Sequence, residues 1–156
     1  MLKNIVNKIV EIFMEDGDNN SVTVNGTSYV GRNITITKDK VIIDGVVQDN
    51  NNLTFKKIDI VINGNVKSLE TTSGDVSVNG DSGRISTTSG DISISKDVNG
   101  DVSSTSGDVE IKGNVSGNVS TVSGDVKAYA IGGNVKTTSG DIIGNRKWMK
   151  AFQVSM

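Results

Sequence analysis

The chain has 156 residues, 16 of them basic and 18 acidic for a formal charge of -2, and it contains neither cysteine nor histidine. That length suits one domain with a core of its own. The two missing residue types exclude disulfide frameworks, Ser/His and Cys/His nucleophile pairs and the usual zinc ligands, and the near-neutral charge gives no global reason to expect nucleic acid as a partner.

The opening segment, MLKNIVNKIVEIFMEDG, places Leu2, Ile5, Ile9, Ile12 and Phe13 at helical spacing before Gly17, so a short amphipathic helix is expected over residues 1–16. Lys3, Asn4, Asn7, Lys8 and Glu11 interrupt it too often for a membrane span or a signal-peptide core. The expectation is therefore an unprocessed, cytoplasmic protein with no membrane span. Polar residues then lead into residues 21–62, where SVTV, NITIT and KVIIDG alternate in polarity. Asn25-Gly26 is a strong turn signal, and ITITKDKVII has the form of a hairpin. In FKKIDIVINGNV, Ile58, Ile60 and Ile62 fall on one face of a further strand.

From residue 63 to residue 143 one hexapeptide returns in five near-copies: TTSGDV, TTSGDI, STSGDV, TVSGDV and TTSGDI. Their serines, Ser73, Ser89, Ser106, Ser123 and Ser139, are separated by 16, 17, 17 and 16 residues. A near-constant period of this size is the mark of a solenoid. The predicted fold is all-β: a short β-solenoid in which each repeat is one coil of two strands and two turns. Leu69, Ile85, Val102, Val119 and Val135 would stack in one inward column, and Val76, Ile92, Val109, Val126 and Ile142 in a second. Five rungs at about 4.8 Å make a rod of roughly 24 Å. Glycine recurs because a corner needs positive φ, and aspartate because its carboxylate can accept backbone N–H groups of its own turn.

A solenoid exposes unpaired backbone at both ends, so caps are expected there. The predicted helix would serve at one end, either as a cap or against another subunit. At the other, residues 144–156 bring Trp148 and Phe152 four positions apart, as a last helical turn would place them, beside Arg146, Lys147 and Lys150. The same basic and aromatic mixture suits contact with an acidic partner or a membrane surface.

Among candidate chemistry, the column Asp75, Asp91, Asp108, Asp125 and Asp141 could hold Ca²⁺ between stacked carboxylates, but its period and glycine pattern differ from the calcium-binding nonapeptide repeats, and a turn-satisfying role is expected. Thr71 with Thr72, Thr87 with Thr88 and Thr137 with Thr138 suggest a hydroxyl-bearing face, broken at Ser104 and Val122, of the kind that could bind ice, glycan or protein. No catalytic residue, metal ligand or cofactor site is expected.

The order SVTVNGTSYVGRNITITKDKVIIDG followed by GNV and SGDV units resembles a group of small phage and bacterial proteins, over about Ser21 to Ile142. More loosely it is similar to adhesin-like repeat domains and to bactofilins. That resemblance implies a right-handed β-solenoid and a phage origin, and it transfers no catalytic residues. The expected function is a non-enzymatic interaction or scaffold protein, a homo-oligomer and a phage accessory factor that binds a host or phage protein in the host cytoplasm. The alternatives are a structural component of a virion or surface, and a small-ligand or Ca²⁺-sequestering module.

Overall fold

A computed structural model describes residues 8–15, 20–37, 40–48, 58–144 and 150–153. Among them there are strands and no helix, and the architecture is a β-solenoid of about five turns. The strands form two sheets that run the length of the stack.

The parallel part alternates between the sheets. One sheet receives β8 (Val66–Ser73), β10 (Ser82–Ser89), β12 (Val102–Ser106), β14 (Val119–Ser123) and β16 (Asn134–Ser139), and the other β7 (Asp59–Asn63), β9 (Asp75–Val78), β11 (Ile92–Ile94), β13 (Val109–Val115), β15 (Val126–Ile131) and β17 (Ile142–Gly144). Each strand pairs in register with its counterpart one repeat on: Leu69 with Ile85, Ile85 with Val102, Val102 with Val119, Val119 with Val135. The column from Val76 to Ile142 stacks in the same way. Both predicted columns therefore hold, all but fully buried except at Ile142 on the last rung.

Three more inward columns complete the core. Val78, Ile94, Ile111 and Ala128 form one, ending at Gly144, so its side chains shrink toward the C-terminal end. Val66, Ser82, Val98, Val115 and Ile131 form another, joined partly by isolated bridges. The last is polar: Thr71, Thr87, Ser104, Thr121 and Thr137 are all buried. This corrects the expected hydroxyl face, because the first residue of each Thr pair points inward and only the second faces solvent.

Two seventeen-residue coils sit between sixteen-residue ones without breaking the stack. Between β13 and β15 the extra residue is absorbed as a bulge: Ile111 pairs with Ala128 and Asn114 with Ala130, so Lys112 and Gly113 oppose Tyr129 alone.

The N-terminal third extends the same two sheets by antiparallel pairing. The predicted helix is replaced by β1 (Lys8–Met14), which lies antiparallel between β8 and β4 (Asn33–Thr37). Ile12 sits opposite both Leu69 and Ile34, and Val10 opposite Thr71 and Ile36, so the core columns pass through it unbroken. The physical reason is the edge of β8: a strand can satisfy its row of backbone groups, and a helix cannot. Val10, Ile12 and Met14 are buried while Phe13 is exposed, a period of two rather than 3.6. Leu2 and Ile5 lie outside the described residues.

The predicted hairpin holds as β4 and β5 (Val41–Ile43), and it continues through Asp44-Gly45 into β6 (Val46–Gln48). In the second sheet β2 (Ser21–Val24) pairs with β7, and across Asn25-Gly26 with β3 (Thr27–Tyr29). Asn25 and Asp44 have φ of 47° and 49° and the glycines after them 87° and 85°, the left-handed pair that a two-residue hairpin turn demands.

At the other end β18 (Lys150–Gln153) adds in parallel to β16. Phe152 is thus in a strand, opposite Lys136, and not on a helical turn. Arg146, Lys147 and Trp148 lie outside the described residues.

Candidate interaction surfaces

The SGD tripeptide is a cross-rung connector. At each corner the glycine N–H donates to the serine carbonyl of the following rung, Gly74 to Ser89 at 3.1 Å and Gly107 to Ser123 at 3.0 Å. The residue after the aspartate donates likewise, Val76 to the Asp91 carbonyl at 2.9 Å. In return each carboxylate accepts the N–H of the aspartate on the next rung: Asp75 from Asp91 at 3.1 Å, Asp91 from Asp108 and Asp108 from Asp125 at 2.9 Å, Asp125 from Asp141 at 2.8 Å. The aspartate carboxylates thus bond the neighbouring rung, where the sequence suggested their own turn.

Two further ladders of the same kind escape a search for SGD. Asn65, Asp81 and Asp97 accept from Asp81, Asp97 and Asn114, and Asp101 and Asn118 accept from Asn118 and Asn134. Even the hairpin joins in, with Asn25 Oδ1 accepting the Asp59 N–H at 2.8 Å. Aligning the repeats in coils of 16 and 17 would have revealed both as columns of Asn and Asp. Among the described residues, no three carboxylates come together in a way that could hold a metal ion.

Glycine is required at these corners twice over. Gly107 has φ of 126°, and a Cβ there would lie 2.2 Å from the Gly90 carbonyl oxygen one rung below.

The outward faces carry what remains. On the first sheet Ser86, Ser103 and Ser120 stand in register, flanked by Thr72, Thr88, Thr105 and Val122. Toward the N-terminal end this face changes: Glu11, Phe13, Glu70 and Arg84 line a shallow depression with Ser68 and Ser86, and Phe13 is 38% exposed. Phe13 was expected among interaction residues, whereas the charges around it were not. Val46 and Val47 are exposed on β6, the edge strand at that end of the sheet.

On the second sheet one outward column reads Val61, Ser77, Ser93, Glu110, Lys127 and Ile143. Its small serines give way to large and charged side chains on the last rungs, where Tyr129 is 56% exposed and Ile143 51%. Lys127 Nζ lies 3.8 Å from Glu110 Oε1, an exposed pair that contributes little to stability. These residues also form a depression with Lys112 and Gly144. The signal that could have found them is their departure from serine at a repeat position.

Comparisons with protein-family models, with curated proteins and with solved structures return no match to this chain. Among the described residues no helix is long and apolar enough to cross a membrane.

Proposed function

We infer that the chain is a non-enzymatic interaction protein, a rigid scaffold that acts through its outer surfaces and associates first with itself. The observation that carries this reading is the exposure of Phe13, Tyr129 and Ile143 on the outer sheet faces, which also carry the serine columns of Ser86, Ser103 and Ser120 and of Ser77 and Ser93. Large exposed apolar groups within a polar surround mark association surfaces on soluble folds. The ladders support it too, since every aspartate of the SGD column from Asp75 to Asp125 is engaged in holding the next rung. In a phage setting the second partner of such a scaffold is a host protein.

Light scattering on the full chain over a wide concentration range tests the reading. A mass rising above the 16.4 kDa of one chain is expected. A single-chain mass throughout overturns self-association, and steady turnover of a nucleotide or glycan that disappears in Asp108→Ala overturns the non-enzymatic assignment.

A further inference from the structure

Two depressions on the surface are opposites in charge. The first, on the outer face of the ten-stranded sheet near its middle, where β1, β8 and β10 lie side by side, holds Glu11 and Glu70 against Arg84, beside the ring of Phe13. Two carboxylates and one guanidinium give a local charge of -1. The second, on the outer face of the eight-stranded sheet near its C-terminal end, holds Lys112 and Lys127 against Glu110, beside the ring of Tyr129 and Ile143. Two ammonium groups and one carboxylate give +1.

The register of the strands builds both patches. Glu11 lies directly opposite Glu70 across the antiparallel β1–β8 pair, which brings two carboxylates together on the outer face. Arg84 is opposite Ser68, diagonal to Glu70 on the same face. On the other patch the β13 bulge sets Lys112 and Gly113 against Tyr129 alone, and Gly144 ends an inward column without a side chain. Bulges often re-aim side chains at binding surfaces.

We propose that the acidic Phe13 patch of one copy docks on the basic Tyr129 patch of a second copy of this chain. The inference rests on the self-associating scaffold described above and names its contact. Glu11 and Glu70 meet Lys112 and Lys127, while Phe13 packs against Tyr129 and Ile143, joining an apolar centre to complementary charges. Pairing of like patches about a two-fold axis would set carboxylates against carboxylates and ammonium groups against ammonium groups, and the charges oppose it. The two patches are different surfaces on different sheets, so the contact is heterologous. Each added copy leaves one patch of each kind free, and assembly proceeds as a chain rather than closing at the dimer.

The test is sedimentation velocity on three full-length proteins: the wild type, Glu11→Lys/Glu70→Lys, and Lys112→Glu/Lys127→Glu. Folding of each is checked by circular dichroism. The wild type should form a concentration-dependent series of oligomers that weakens as salt rises from 0.05 to 0.5 M, roughly the range over which screening shortens from more than 10 Å to under 5 Å. Each double variant should self-associate at least tenfold more weakly. An equimolar mixture of the two should recover oligomers, because the reversed patch of each then complements the reversed patch of the other. Wild-type oligomers that persist unchanged in both variants, or a mixture that stays as inert as its components, overturn the docking contact and leave self-association standing. A wild type that sediments as a single chain at every concentration overturns both.

Discussion

Substituting Thr121 by valine should make the protein more stable, although it removes a polar group that every neighbouring rung retains in some form. Thr121 is 1% exposed, and its Oγ1 has no hydrogen-bond partner among the described residues. A buried hydroxyl without a partner costs about 1–3 kcal/mol, and valine keeps the β-branched shape while removing that cost. The expected gain is about 1.5 kcal/mol, or roughly 3–6 °C in Tm for a chain of this size. Thr71 is the matched control in the same column: its Oγ1 donates to the Ser73 carbonyl at 2.8 Å. Thr71→Val loses a bond of net value about 1 kcal/mol and should lower Tm by roughly 2–4 °C. Thermal unfolding of the two variants by circular dichroism, at one protein concentration, reads the difference in sign. If Thr121→Val falls as far as Thr71→Val, the unpartnered hydroxyl is not the destabilising feature and the reasoning fails.

The corner bonds make two further predictions. Gly107→Ala forces a side chain onto φ of 126° and a Cβ to within 2.2 Å of the Gly90 oxygen, and the strain and overpacking together should cost about 3 kcal/mol or more in a urea titration. Asp108→Asn keeps an oxygen that can accept the Asp125 N–H now bonded at 2.9 Å, so its urea midpoint should stay within the change expected of about 0.5 kcal/mol. Asp108→Ala removes that acceptor and should cost about 1 kcal/mol. Equal losses from the Asn and Ala variants would count against the cross-rung role of the carboxylate.

The repeating half of the fold was legible because its signal is redundant. Leu69, Ile85, Val102, Val119 and Val135 each recur at the same place relative to SGD, and a parallel stack turns that recurrence directly into contact. Segments that occur once were harder. In Lys8–Met14 the spacing of Ile9, Ile12 and Phe13 satisfies a helical period, while Val10, Ile12 and Met14 satisfy a period of two. Seven residues cannot separate the two, and the decision came from β4 and β8 on either side, which demand backbone partners. The same dependence on neighbours hid the direction of Thr71 and Thr72, because a pair of threonines does not reveal which one faces the core. The candidate surfaces were the least legible. Glu11, Glu70 and Arg84 come from three separated segments and Lys112, Lys127 and Ile143 from three more, and only the register of the sheets brings each set together.

The solenoid rests on one relation: a residue of one coil lies beside its counterpart in the next. The chain contains no cysteine, so paired cysteines report that relation without background. Ser103 and Ser120 are register partners on β12 and β14, on the outer face, and Ser86 lies two rungs from Ser120. Neighbouring strands are about 4.8 Å apart, within reach of a disulfide, and alternate strands at about 9.6 Å are beyond it. Mild oxidation followed by mass spectrometry should therefore close an intramolecular disulfide in Ser103→Cys/Ser120→Cys and leave Ser86→Cys/Ser120→Cys as free thiols. Ready closure of the second pair, or none in the first, would contradict the stacked-coil account.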